Sequence, residues 1–211
     1  MLADTSQLAS TRHHTATDQR AWTEIFSPSV NLAVWQRQLS EPLKAGVKAL
    51  LTERPSIRIQ ESGTVTELHQ RLHQCLGTDS TWTPLLDDIA LSLDMFQVLF
   101  DQDTIGLRLT GLDKAMCPRF HVDRVLVRGI CTYAGPATEW LANEHIPARE
   151  QQSGPLLIPT DADQHIQHLP LGAFALMKGE AWPGNEGRGL VHRSPPCTSD
   201  DPRLLLTLDL C

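Results

Sequence analysis

The sequence predicts an α+β protein, with a helical N-terminal half laid on a β-rich C-terminal half that closes as a sandwich or barrel. Two patterns carry that reading. Apolar residues recur at helical spacing between residues 40 and 100, and from Thr104 onward the chain offers short β-rich runs separated by Gly and Pro. A third observation joins the halves: 211 residues with 41% hydrophobic content suffice for one domain with a sizeable core.

Residues 1–20 are polar and aperiodic, and read as a disordered tail in which His13 and His14 are at most a loose metal site. The helical region spans 21–103. Its first helix covers 40–53, with Ser40 as N-cap, Pro42 in the first turn, and Leu43, Val47, Leu50 and Leu51 as its apolar stripe. Pro55 ends it, and Ser56–Gln60 is a short candidate strand. A second helix runs from Thr64 to Leu76, with Val65, Leu68, Leu72, Cys75 and Leu76 on one face and Gly77 as its stop. His69 and His73 lie at i, i+4 on this helix and, with no third ligand nearby, read as exposed polar residues. Thr83-Pro84 caps and starts a third helix, on which Leu86, Ile89, Leu93, Phe96 and Phe100 recur at 3, 4, 3 and 4. The β-rich core occupies 104–211. Its expected strands are Ile105–Thr110, Phe120–Tyr133, Leu156–Ile158, Ala173–Met177, Gly189–His192 and Leu204–Leu210.

Composition narrows the partners. There are 18 Lys+Arg against 25 Asp+Glu, a formal net charge of −7 without basic clusters. That argues against nucleic acid or an anionic membrane as the main partner. No apolar stretch approaches the ~18 residues of a membrane span, and the first residues lack the apolar region of a secretory signal. Five cysteines, an odd count without a CxxC, fit a reducing compartment. The expectation is a cytoplasmic protein acting on a small molecule or peptide, with no oligomeric state specified.

The stretch Cys117-Pro118-Arg119-Phe120-His121-Val122-Asp123 carries the most chemistry. In a strand, residues i and i+2 share a face, so His121 and Asp123 project together as two metal ligands. The same parity places Val125, Val127, Gly129, Cys131 and Tyr133 with them and turns Arg128, Ile130 and Thr132 away. His192 lies before a second turn, within Gly189-Leu190-Val191-His192-Arg193-Ser194. The last run alternates: Leu204, Leu206, Leu208 and Leu210 form a face for the helices, while Arg203 begins the face that looks inward. A buried guanidinium without a partner is costly, so an anion should meet Arg203. The Gly-rich run from Trp182 to Gly189 is expected to shape the pocket mouth, with Arg188 and Arg193 at the surface, available to an acidic substrate.

Two histidines and a carboxylate resemble the facial triad of the non-haem Fe(II) oxygenases. That resemblance implies a jelly-roll (double-stranded β-helix) barrel holding iron on His121, Asp123 and His192. It also implies a basic residue about ten positions beyond the distal His, binding the far carboxylate of 2-oxoglutarate. Arg203 stands eleven positions on, and Tyr133 is a further candidate donor to the cosubstrate. The segments CPRFHVD, TYAGPATEWL, LMKGEAWPGNEGRGLVHRSPP and RLLLTLDL together resemble the bacterial domain of unknown function 1826 family, strongly over 104–211 and more loosely in the helical half. That family carries no established activity, so the likeness transfers no function. The leading expectation is an Fe(II)/2-oxoglutarate-dependent dioxygenase. Its competitor is a cupin-like zinc protein of metal homeostasis, with Cys117 as a further ligand closing a tetrahedral site. A zinc hydrolase with Glu139 or Glu186 as base is a third reading. A purely structural role follows if the three ligands fail to converge.

Overall fold

The helices lie where the 3.6-residue periodicity puts them. The structure, a computed structural model, describes residues 12–77, 79–147 and 156–210. Helix α1 (Glu41–Glu53) starts at Ser40, whose hydroxyl accepts from the Leu43 amide, and buries Leu43, Val47, Leu50 and Leu51. Helix α2 (Val65–Leu76) opens with a reciprocal Thr64–Glu67 capping box and stops at Gly77, which adopts φ 81°. Helix α3 (Thr83–Phe100) buries Leu85, Leu86, Ile89, Leu93 and Phe96. Thr83 does not cap it. A 3-10 turn, Ser80–Trp82, leads directly into α3, and Asp79 caps that turn instead.

The strands are β1 (Arg12–Ala16), β2 (Val30–Trp35), β3 (Arg58–Gly63), β4 (Ile105–Leu112), β5 (Val127–Ala134), β6 (Glu139–Leu141), β7 (Gln167–His168), β8 (Phe174–Lys178), β9 (Val191–Arg193) and β10 (Arg203–Leu210). Seven of them form one sheet in the order β1-β2-β8-β5-β10-β4-β3, antiparallel except for the β1–β2 pair. The other three form a small sheet, β7-β6-β9. The main apolar core joins helix residues such as Leu50, Leu72 and Phe96 to one face of the large sheet, through Val127, Leu204, Leu206 and Leu208.

The expected division at residue 103 does not hold. The segment before it supplies both edges of the large sheet, β1 and β2 on one side and β3 on the other. Nor is residue 12 onward a free tail: β1 pairs with β2, whose outer amides and carbonyls would otherwise lack partners, and the Trp35 indole donates to the Thr17 carbonyl at 3.2 Å. Residues 1–11 lie outside the described residues. Strand β2 escaped the sequence reading because Val30–Val34 are all buried, so the run never alternates. The expected strand Leu156–Ile158 is unpaired chain. The expected strand Phe120–Tyr133 is broken: His121 makes an isolated bridge, and regular pairing begins only at Val127.

A polar lock joins the helices to the sheet. The Arg37 guanidinium donates to both Asp88 oxygens at 2.6 and 2.7 Å, and the Tyr133 hydroxyl donates to the same carboxylate at 2.7 Å. Arg37 and Asp88 side chains are only 10% and 12% exposed. Truncating one partner of such a pair strands the other. Asp88→Ala should therefore lower stability by about 3–5 kcal/mol, read as a drop in the urea midpoint at unchanged slope.

Candidate metal centre

The site lies on the face of the large sheet turned away from the helices. The pleat of β10 brings Leu205 and Thr207 to this face, and cross-strand register adds Thr110 and Arg108 from β4 and Ile130 from β5. The expected parity of β5 is inverted. Arg128, Ile130 and Thr132 face the site, while Val127, Cys131 and Tyr133 pack beneath the helices. The cause is the unpaired stretch 122–126, across which the alternation started at His121 is not preserved. Tyr133 is therefore not a cosubstrate ligand. It is buried, bound to Asp88 on the opposite face, and burial pushes its hydroxyl pKa well up.

His121 and His192 face each other as a hydrogen-bonded antiparallel pair, exchanging two amide–carbonyl bonds of 3.0 Å. Their side chains project together, with ring centroids 4.4 Å apart. Each ring places Nδ1 3.0 Å from the carbonyl two residues earlier, Arg119 for His121 and Leu190 for His192. A carbonyl can only accept, so Nδ1 carries the proton and the Nε2 lone pair turns inward. Asp123 meets both: Oδ1 is 3.8 Å from His121 Nε2 and Oδ2 is 3.4 Å from His192 Nε2. The three ligand atoms lie within 4.8 Å of one another, the one such group among the described residues. Two lone pairs and a carboxylate thus converge on one point, an arrangement that a cation resolves.

Electrostatics keeps these groups in forms that could bind a cation. Burial works to raise the Asp123 pKa, but His192, Arg128 and His121 outweigh it and hold the carboxyl at about 2. Burial lowers the His121 pKa, and the neighbouring His192 lowers it further. The backbone around Asp123 is held by main-chain bonds: Gly179 donates to the Leu126 carbonyl, Glu180 to Asp123 and Ala181 to Val125. Gly179 is required here, because a Cβ would collide with the Val125 carbonyl oxygen and come within 2.8 Å of that of Asp123.

Arg203 is 1% exposed. Its guanidinium donates to the hydroxyls of Ser194, Thr132 and Thr138; among the described residues no carboxylate pairs with it, and its Nε is buried without a partner. Burial lowers its pKa to about 10, which leaves it charged at neutral pH. Ser194 and Thr138 also line the groove beside His121 and His192. Cys117 lines that groove as well but does not join the ligand cluster, so a closed four-ligand zinc site is not assembled. Glu139 is tied to Arg193 and is not free to act as a base. None of the loop from Trp182 to Gly189 lines the groove. Trp182 packs on Phe26 and Phe100 at the helical side instead. The sequence reading missed Arg128 and Asp209, which bind each other beside Asp123. The alternation of β10 placed Asp209 on the inward face, but the parity error on β5 hid its partner.

A family model described as "Protein of unknown function (DUF1826)" matches residues 16–209. No curated protein matches the chain. Among solved structures, it resembles a rice dioxygenase for auxin oxidation with TM-score 0.54 at 12% identity, covering 95% of this chain and 82% of that one. That likeness is one of fold. Weaker likenesses include a Pseudomonas putida prolyl-4-hydroxylase (TM-score 0.48, 11% identity, 90% and 97% coverage) and a full-length Neurospora crassa protein in complex with alpha-KG and 5-formyluracil (TM-score 0.49, 10% identity, 97% and 85% coverage). No described helix is long and apolar enough to cross a membrane.

Two outcomes follow from this geometry. An imidazole ligates only when neutral, and the lowered His121 pKa keeps that ring neutral at pH 7. Calorimetric titration with Mn(II) should give equal affinity at pH 8 and pH 7, then a loss as pH falls below the usual imidazole value of about 6.5. Affinity that already drops between pH 8 and 7 contradicts this. Gly179→Ala should push the Asp123 segment off β8, costing about 1–3 kcal/mol of stability and weakening Mn(II) binding in the same preparation.

Proposed function

The chain belongs to that DUF1826 family of unknown function, and we propose that it is a non-haem Fe(II)/2-oxoglutarate-dependent oxygenase built on a jelly roll. In this reading the seven-stranded sheet and the three-stranded sheet are the two walls of the barrel, and the helices cover the outside of the larger wall. One observation carries the proposal: a buried, uncompensated Arg203 adjoins a groove lined by His121 and His192, two of the three converged candidate ligands.

The residues fit the cofactors by their donor chemistry. Two imidazole nitrogens and one carboxylate suit Fe(II) and leave the rest of its coordination sphere open. Iron with a chelated 2-oxo acid supplies oxygen activation driven by decarboxylation. The work of this chain is to bind and orient. His121 and His192 are held in one tautomer by their own strands. Arg203 takes the far carboxylate, whose charge matches the one the guanidinium lacks. The hydroxyls of Thr132, Thr138 and Ser194 hold Arg203 in place until the dicarboxylate arrives. The organic substrate, a small molecule or a peptide, enters along the groove past Met116 and Cys117.

The test is an anaerobic titration of metal-free protein, first with Fe(II) and then with 2-oxoglutarate, following the visible charge-transfer absorption of a chelated 2-oxo acid. A saturable band is expected. In Arg203→Ala the 2-oxoglutarate affinity should fall about 10- to 100-fold, the worth of charge-assisted hydrogen bonds to a carboxylate. Iron binding with no band, or an unchanged 2-oxoglutarate affinity in the variant, would sink the cosubstrate assignment.

A further inference from the structure

Of the three candidate ligands, Asp123 alone has no cross-strand partner. His121 and His192 fix each other through their backbone pair, whereas residues 122–126 belong to no strand. Main-chain bonds to residues 179–181 locate the Asp123 backbone but leave its side-chain torsions open. The carboxylate is held by Arg128, whose Nη1 donates to Asp123 Oδ2 at 2.8 Å. Arg128 in turn has no freedom. Its Nε and Nη2 donate to the two oxygens of Asp209 at 2.7 and 2.9 Å, across the β5–β10 register in which Asp209 and Arg128 stand directly opposite. Arg108, on the other neighbour of β10, also donates to Asp209. All three members of the Arg128 chain are shielded, with side chains 15% to 17% exposed.

We propose that Arg128, locked by Asp209, is a positioning residue for the metal centre: it engages Oδ2 of Asp123 and leaves Oδ1 to the metal. The inference rests on the metal-centre reading of His121, Asp123 and His192, and is independent of whether 2-oxoglutarate binds. Two effects of Arg128 oppose each other, and their balance makes the idea testable. Its positive charge repels a divalent cation, so on charge alone its removal tightens metal binding. Its hydrogen bond pre-orients a ligand, so on geometry its removal loosens binding. Geometry prevails, because Asp209, though shared with Arg108, offsets part of the Arg128 charge, while no other hydrogen bond among the described residues holds the Asp123 carboxylate. Partners that orient a ligand in this way typically contribute 10- to 100-fold in metal affinity.

The experiment measures Co(II) and Mn(II) affinity of the full chain by calorimetry, with circular dichroism and thermal unfolding on the same samples. Arg128→Met should bind both ions about 10- to 100-fold more weakly, and the visible ligand-field bands of bound Co(II) should change shape. Arg128→Lys keeps the charge and the fold but cannot span Asp123 and Asp209 together, so its affinity should also fall. Asp209→Asn frees Arg128 from its anchor and should weaken binding by a smaller factor. If Arg128→Met does not fold, the other two variants decide. Equal or tighter binding in a folded Arg128→Met, or wild-type affinity and cobalt spectrum in Arg128→Lys, overturns the proposal. Wild-type protein that binds neither ion overturns it together with the metal centre. Wild-type protein that binds metal but gives no 2-oxoglutarate band refutes only the oxygenase reading.

Discussion

Strand β10 runs through the middle of the large sheet, and its pleat decides what each face of the molecule does. Leu204, Leu206 and Leu208 enter the core shared with the helices, while Arg203, Leu205, Thr207 and Asp209 look the other way. The strand is paired along its whole length with β4, from Arg203 opposite Leu112 to Leu210 opposite Ile105. A slip of one residue would exchange the two sets and place a guanidinium and a carboxylate beneath the helices, where neither has a partner. The leucine face therefore enforces the register that aims Arg203 and Asp209 at the groove. Apolar packing on one side specifies the polar chemistry on the other.

The two ends of β10 carry arginine interactions of opposite kind. Near its C-terminal end, Asp209 joins Asp123 in holding Arg128, each of whose three guanidinium nitrogens donates to a carboxylate. At its N-terminal end, Arg203 is more deeply buried yet, among the described residues, donates only to hydroxyls and leaves its Nε orphaned. A buried cation with neutral partners destabilises the free protein, and most proteins pair or neutralise it. Three hydroxyls reduce that cost without cancelling the charge. An anion bound at Arg203 would recover that deficit, which is how a protein can convert a cost in its free state into affinity for a charged ligand. Arg128 has no such deficit, so its role is geometric.

The helices were legible because each repeats its signal over three or more turns and carries its own punctuation, Ser40 and Gly77 among them. The triad was legible for a different reason. His121 and Asp123 are two residues apart and need only a local extended backbone to converge, and the distal His192 announces itself by the turn that follows. Arg203 could be read from the alternation of Leu204–Leu210. What failed was whatever depended on long-range pairing. Strand β2 is covered on both faces and has no period, and β1 is polar and owes its conformation to β2. The parity of β5 was carried through residues 124–126 as though the strand were continuous, which placed Tyr133 in the site and Arg128 outside it. Both errors share one origin: a ladder interruption is set by the distant chain packed against it, here the backbone of residues 179–181, and leaves no mark in the local sequence.

The division between the two faces also separates stability from chemistry. The helical face holds the main apolar cluster and the Arg37–Asp88–Tyr133 lock, and none of the three candidate metal ligands belongs to either. The histidine backbones are held by strand bonds and the Asp123 carboxylate by Arg128, all within the protein itself. The centre is therefore pre-organised by the fold, unlike small zinc domains whose ligands gather only when metal binds. A pre-organised set of lone pairs would keep its spacing with or without a metal. The same economy would allow an open coordination sphere, because an ion bound here would not be needed to tie the chain together and its remaining positions would stay available for exchangeable ligands.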